Sequence, residues 1–258
     1  MGDGIVRDGI KPGDVVVVTG AGGGFGRAFC KRFGLAGARV AAWEINPQAG
    51  AETVAQVKAA GGEAQFFQVD LSDGSQIAPA VEQTLTAFGA PYLVINNASI
   101  YPRSTVIDMK VEDWERTLRV NITAPFLIVR AFGPHMLKQK RGVVINIASG
   151  RGVEGTPNGA NYAASKAAIL SLTKTLALEW APRNVRVNAI IPGVSMTAQP
   201  LENTTPEELL LRGQKTIPLG RVGYPDDMAG LAAFMASPDA AYMTGQAVAM
   251  NGGRVVLP

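Results

Sequence analysis

Asp14-Val-Val-Val-Val-Thr-Gly20-Ala-Gly-Gly-Gly-Phe-Gly26 joins an unbroken β-branched run to a dense run of glycines. A short apolar run without alternation suits a strand buried on both faces, as in a parallel sheet. The glycines allow a tight turn, and residues 24–36 then read as a helix closing at Gly37. Working outward, the same alternation recurs. Strands are expected at 14–19, 38–43, 64–69, 92–96, 143–148, 185–190 and 246–250, and helices at 47–60, 74–88, 111–139, 160–181 and 225–236. Strands alternating with helices imply right-handed βαβ units. The expected class is α/β: a doubly wound parallel sheet of seven strands with helices on both faces. No linker, repeat or low-complexity tract divides residues 1–258, so one domain is expected, behind a short polar leader at 1–13.

Composition narrows the chemistry. At 258 residues and 47% hydrophobic content, the chain can bury one large core. The net charge of +3 comes without a basic stripe. The densest basic stretch, Lys138-Gln-Lys-Arg141, falls where a helix should end, and cations favour helix C-termini. No nucleic-acid partner is expected. The single Cys30 allows neither an internal disulfide nor a paired-cysteine metal site, and its apolar helix position suggests a buried, inert thiol. With only His135 available, neither a zinc ligand set nor a Ser-His-Asp triad is expected. Residues 1–6 lack a signal-peptide pattern, and Val6 stands where myristoylation wants Ser or Thr. No apolar run approaches the ~20 residues of a membrane span. A soluble, cytoplasmic protein without metal or membrane partner is the expectation.

A glycine turn between a buried strand and a helix lets backbone approach a pyrophosphate and aims the helix N-terminus at its charge. Gly20, Gly22, Gly24, Phe25 and Gly26 are the candidate cradle, in a Rossmann-type arrangement. Glu44 closes the second strand with Ile45 beside it, where an acid can accept hydrogen bonds from an adenosine ribose. A carboxylate there repels a 2′-phosphate, Gly23 and Asn46 carry no charge, and Arg27 is expected to point along its helix. NAD is therefore favoured over NADP. Asp70 and Leu71 end the third strand, a place to cradle adenine. Asn96-Asn97-Ala98-Ser99 ends the fourth and is expected to line the cofactor.

Tyr162-Ala-Ala-Ser-Lys166 carries the chemistry. Residues four apart share a helix face, so the Lys166 ammonium is expected to reach under the Tyr162 phenol. A cation there favours the phenolate and lowers a pKa that is ordinarily about 10. Ser149 follows an apolar strand, at the rim where a hydroxyl can bond a substrate oxygen. Asn121 is a polar residue among apolar neighbours, compatible with a satisfied buried amide as well as with a site role.

Thr19-Gly-x-x-x-Gly-x-Gly26, Asn96-Asn-Ala98, Asn121, Ser149, Tyr162-x-x-x-Lys166, Pro192-Gly193, Gly220-Arg-x-Gly-x-Pro225 and Thr244-Gly-Gln…Asn251-Gly-Gly253 together resemble the short-chain dehydrogenases/reductases over essentially the whole chain. The resemblance implies a catalytic tetrad of Asn121, Ser149, Tyr162 and Lys166. Tyr162 would be the acid/base, Lys166 would lower its pKa and hold the nicotinamide ribose, and Ser149 would orient the substrate oxygen. Asn121 would fix a water linking Lys166 to solvent. Thr197, beyond Pro192-Gly193-Val194, would help hold the nicotinamide carboxamide. The resemblance also implies a homotetramer sharing helices 111–139 and 160–181. Two positions depart from the pattern: Ser99 replaces a glycine, and the large Trp43 stands beside the ribose acid, either walling the adenosine pocket or packing on a helix.

The expected reaction is hydride transfer between a nicotinamide cofactor and a secondary alcohol or ketone. Arg151, Glu154, Tyr101 and Asn158, with Ser149, Tyr162 and the stretch 194–211, are candidate substrate contacts. Arg151 and Glu154 suggest a polar substrate, whereas Leu209-Leu-Leu211 and Met196 suggest an apolar one. The segment 194–219 reads as a lid with its own helix, started by the capping box Thr205-Pro-Glu-Glu208. An alternative is a 3-oxoacyl thioester reductase using NADPH, with Lys138, Arg141 and Arg183 meeting an acidic carrier. A non-catalytic NAD-binding regulator is the remaining reading, disfavoured because tyrosine and lysine are both kept.

Overall fold

The computed structural model describes residues 9–202 and 204–254. The readings of residues 1–6, and most of the polar leader, lie outside the described residues. Seven strands form one sheet: β1 (Val15–Thr19), β2 (Arg39–Glu44), β3 (Glu63–Gln68), β4 (Leu93–Asn96), β5 (Gly142–Ile147), β6 (Val185–Pro192) and β7 (Ala247–Met250). They lie in the order β3-β2-β1-β4-β5-β6-β7, and every pair is parallel. The chain winds one way from β1 to β3, then crosses to β4 and winds the other way. The carboxyl ends of β1 and β4 thus flank the switch point, where such sheets bind ligands.

The helices are α1 (Gly24–Leu35), α2 (Pro47–Ala59), α3 (Ile77–Phe88), α4 (Val111–Leu118), α5 (Ala124–Gln139), α6 (Arg151–Glu154), α7 (Ala160–Trp180), α8 (Ala198–Leu201), α9 (Pro206–Thr216) and α10 (Pro225–Ala236). Side-chain alternation along the strands divides the core into two layers. Val16, Val18, Val40, Leu93 and Ile145 pack on one face with Phe29 and Phe33 of α1 and Met228 and Met235 of α10. Val15, Val17, Val94, Val144 and Val187 pack on the other with Phe132 and Met136 of α5 and Leu176 and Trp180 of α7. Both faces are covered, which is why β1 carries four valines in a row. Cys30 is fully buried, and burial pushes its thiol pKa up. Trp43 packs on Phe132, and its indole N–H donates to Thr84 Oγ1 at 3.0 Å, so it is a core residue and does not wall a pocket.

One element corrects the sequence reading. The single helix expected over 111–139 is two, separated by a π turn at Arg119–Thr123. Pro125 has no N–H to return to the carbonyl four residues back, so the α ladder cannot continue there. The Ala124 N–H instead reaches back five residues to the Arg119 carbonyl. Apolar periodicity runs through such a turn almost unchanged, which hid it.

The stretch after β6 folds as α8 and α9, and the Thr205/Glu208 capping box forms as read. Leu209, Ile217 and Val222 are buried together, with Val194, Met196 and Leu201 packed against them. This small core accounts for the apolar residues there. Leu209 faces its own segment, Leu210 and Leu211 are exposed, and neither this run nor Met196 lines the cleft described below. The hint of an apolar substrate is withdrawn on that ground.

Candidate active site

A cleft of about 990 Å³ opens at the carboxyl edge of the sheet. Its floor at one end is the glycine turn. Gly20 has φ +63, and a Cβ on it would lie 2.9 Å from Ala98 Cα, so only glycine fits between β1 and β4. Thr19 Oγ1 accepts the N–H groups of Asn97 and Ala98 at 3.0 and 3.1 Å. The Asn97 amide donates to the carbonyls of Thr19 (2.9 Å) and Gly20 (3.1 Å). Turn and strand end are thereby locked together. Thr197 reaches across to Gly24, its Cγ2 lying 3.3 Å from where a Cβ would stand.

Glu44 sits at the outer side of this turn. Its Oε2 accepts from the Gly22 N–H at 2.8 Å, and its Oε1 from the N–H groups of Ile45 (3.0 Å) and Asn46 (3.1 Å). A Cβ on Gly22 would come within 2.9 Å of that carboxylate, which explains the glycine. Arg27 pairs with Glu52 at 2.8 Å and also donates to Thr53 and the Gly22 carbonyl. It turns across to α2 rather than along its own helix. Asp70 bonds its own loop, accepting from the N–H and hydroxyl of Ser72.

The cleft brings together Gly20, Gly24, Phe25, Asn97, Ala98, Pro192, Gly193, Val194 and Thr197 with Tyr101, Ser149, Arg151, Glu154, Asn158, Tyr162 and Lys166. Gly22, Gly26, Glu44, Ile45, Asp70, Leu71 and Asn121 do not line it. Asn96, expected to line the cofactor, is turned into the sheet instead. It pairs with Asn146 across β4 and β5, with Nδ2 to Oδ1 at 2.8 Å.

Tyr162 stands at the start of α7 and is nearly buried. Burial pushes its phenol above the ordinary value, while the neighbouring polar side chains of Ser149, Ser99 and Gln199 act in the opposite direction. The Lys166 ammonium donates to the Ile147 carbonyl at 2.7 Å and lies 5.5 Å from the centre of the Tyr162 ring. Burial pushes its pKa down to about 7. The expectation that lysine draws the phenol's pKa down is corrected to this extent. In these surroundings burial, which disfavours both charged forms, dominates the tyrosine as well as the lysine.

Asn121 is fully used. Its Oδ1 accepts the Ile100 N–H at 2.9 Å, and its Nδ2 donates to the Ile100 carbonyl and Ser165 Oγ at 3.0 Å each. Asn161 does the same one step along, donating to the Pro102 carbonyl and to Thr117. Two buried amides thus clamp the backbone on either side of Tyr101. The Tyr101 ring stacks on that of Tyr162 at 4.3 Å and 19°, and Arg103 lies 4.9 Å above its centre.

The sequence placed Ser99 only at the cofactor's strand end and Gln199 only within the 194–211 stretch, and it left Asn161 unmarked. The first was visible as a departure from the glycine pattern. Gln199 belongs to α8 and Asn161 abuts the tyrosine, and nothing in their spacing marks either one.

Comparison with known proteins gives the chain its family. Residues 20–254 match a family model described as enoyl-(acyl carrier protein) reductase. The chain belongs to the short-chain dehydrogenase/reductase family. It is 36% identical over 244 residues to the 3-oxoacyl-(acyl-carrier-protein) reductase FabG of Thermotoga maritima, covering 95% of this chain and 98% of that one. A putative NAD(P)-dependent gluconate 5-dehydrogenase from Beutenbergia cavernae, with bound NADP at low occupancy, superposes with a TM-score of 0.89. It is 37% identical, and the match covers 96% of this chain and 98% of that one. An NAD+-bound xylitol dehydrogenase superposes with a TM-score of 0.86 at 32% identity, covering 94% and 99%. Among the described residues no helix is long and apolar enough to cross a membrane, and no cluster of three or more His, Cys, Asp or Glu could hold a metal.

Proposed function

We propose that this protein catalyses hydride transfer between NAD and a secondary alcohol or ketone, with Tyr162 as acid/base. The observation that carries the reading is the convergence of Tyr162, Ser149 and Lys166 in one cleft with the glycine turn. Bound here, a nicotinamide cofactor would supply or accept the hydride. The residues present fit it: Gly20 and Gly24 leave room for close backbone approach, and Thr197 and Gly193 flank the same opening. Lys166 and Tyr162 would hold the ribose beside the nicotinamide.

The chain's own part is proton handling. Held as a neutral phenol by burial, Tyr162 donates its proton to a ketone oxygen that Ser149 and Ser99 orient. In the oxidative direction the phenolate removes the alcohol proton, so the rate in that direction rises toward alkaline pH. Asn121 acts through Ile100 and Ser165, and any solvent link it supports for Lys166 would run through its main chain.

The preference for NAD rests on Glu44. A 2′-phosphate at the outer side of the glycine turn would meet its carboxylate, and Arg27 is committed to Glu52. The second reading, NADPH-dependent reduction of a 3-oxoacyl thioester, is favoured by the likeness to the Thermotoga reductase. The cations first suggested for a carrier do not help it. Lys138, Arg141 and Arg183 lie near the starts of β5 and β6, on the rim opposite the cleft, and Arg141 is paired with Asp14 through two 2.7 Å bonds. A homotetramer also belongs to this proposal. It is supported by Ala164, Ala167 and Leu178 of α7 and Phe126 of α5, which stay exposed on helices otherwise packed on the sheet.

Mixing purified protein with NAD and a panel of secondary alcohols, polyols and hydroxy acids should give NADH. NADPH-linked reduction of a 3-oxoacyl thioester, with no NAD-linked turnover, would establish the second reading instead. Tight NAD binding with silence in both directions would leave only a regulatory role. A monomeric mass by light scattering at micromolar concentration would remove the tetramer.

A further inference from the structure

The charged residues lining the cleft are unevenly signed. Among the described residues, Arg103, Arg116, Arg151, Arg212 and Arg254 share the lining with Lys166 and with two carboxylates, Glu154 and Glu202. Three of the arginines come from separate elements: Arg151 from α6 after β5, Arg212 from helix α9, and Arg254 from the segment after β7. All three line the same cleft, and Arg254 lies within electrostatic reach of both Arg151 and Arg212. Burial first, then Arg151 and Arg212, push the Arg254 pKa down, and Glu154 only partly offsets this. Among the described residues no ion pair or side-chain hydrogen bond engages any of these three guanidiniums, whereas Arg27, Arg141 and Arg221 elsewhere each hold a carboxylate.

Arg212 and Arg254 are exposed and Arg151 is half-buried, so their unengaged guanidinium forks are open to an anion from solution. A guanidinium fork matches carboxylate and phosphate oxygens two at a time. A cleft lined mainly by one sign also concentrates the opposite charge from solution. We propose that Arg151, Arg212 and Arg254 form an anion subsite, and that the substrate reacting at Tyr162 carries a carboxylate or phosphate at its far end. This rests on the hydride-transfer reading and supplies its substrate class: a small secondary alcohol or ketone with an anionic terminus. Such an anion would also tie α9 to the loops after β5 and β7, so binding and closure of this segment would go together.

The test separates this claim from the reaction itself. With protein saturated in NADH, calorimetric titration is run with a series of three- to six-carbon hydroxy acids, the corresponding phosphate monoesters, and uncharged amides of the acids. At least one anionic series should bind about 10-fold or more tightly than its amides, and which one distinguishes carboxylate from phosphate. Arg212→Gln combined with Arg254→Gln should reduce that preference roughly 10- to 100-fold, while NAD affinity serves as the control. Arg254→Lys should restore it only in part, because an ammonium lacks the fork. Equal binding of acids and amides, or a preference that survives the double variant, overturns the subsite. So does binding confined to acyl-carrier or coenzyme A thioesters. Anion binding without turnover of any bound compound would leave the subsite standing and defeat the hydride-transfer reading.

Discussion

The two ends of the cleft treat charge in opposite ways. At the glycine end each charged group is answered from within the chain. Glu44 takes three backbone N–H groups, Asp70 caps its own loop, and Arg27 is held by Glu52. At the tyrosine end Lys166 is buried with a carbonyl for company, burial pushes the Tyr162 pKa up, and Arg151, Arg212 and Arg254 line the opening without a carboxylate partner among the described residues. The first end is finished as it stands and offers mainly shape and backbone donors. The second stores electrostatic stress that a substrate and a cofactor can relieve, the usual condition of a site built for chemistry.

Breaking the stressed end should have the largest effects. Lys166→Met is expected to cut kcat by about 10²- to 10⁴-fold and, unlike most core changes, to stabilise the fold. The lysine's folded pKa of about 7 lies below its ordinary 10.5, so between those values the unfolded chain holds more protons. Wild-type stability therefore rises with pH across that window, and the burial penalty is full below pH 7. The gain on substitution should be on the order of several kcal/mol below pH 7 and fade by about pH 10.5. Thermal melts of both proteins at pH 6 and pH 10 check it; a destabilised variant at pH 6 would contradict it.

Glu44→Gln probes the finished end. It keeps the shape of the carboxylate but removes its charge, and should narrow the preference for NAD over NADP by roughly 10- to 100-fold. Steady-state KM values for both cofactors measure this. An unchanged ratio would mean that Glu44 only braces the turn. Tyr101→Ala, with its stacking on Tyr162 removed, should lower kcat about 10-fold through looser placement of the phenol. Tyr101→Phe keeps the ring and should stay near wild type. Smallest in activity is Asn121→Ala, which leaves the Ile100 N–H and carbonyl without partners. It should cost about 1–3 kcal/mol in a denaturant melt.

The same contrast explains what the sequence made legible. The sheet, its order reversal and the glycine turn follow from local rules: β-branched runs, glycines between strand and helix, one helix per crossover. Tyr162 and Lys166 were readable because a helix fixes what lies four residues apart. The π turn was not, because Pro125 breaks the hydrogen-bond ladder without breaking the apolar pattern. Nor was the clamp on Tyr101, since Asn121 and Asn161 meet the segment at 100–102 from two different helices. Arg151, Arg212 and Arg254 are far apart in sequence, and only the folded chain brings α6, α9 and the segment after β7 to one cleft. The Lys166–Tyr162 spacing was right, but the sign of the phenol's shift depended on burial, which spacing does not carry.

The most direct measurement is single-turnover kinetics of Tyr162→Phe on a substrate that the wild type turns over, with NAD binding followed in parallel. NAD affinity should stay intact while the chemical step slows by at least about 10²-fold. An unimpaired chemical step would show that the proton moves by another route, and the central role given to this phenol would be wrong.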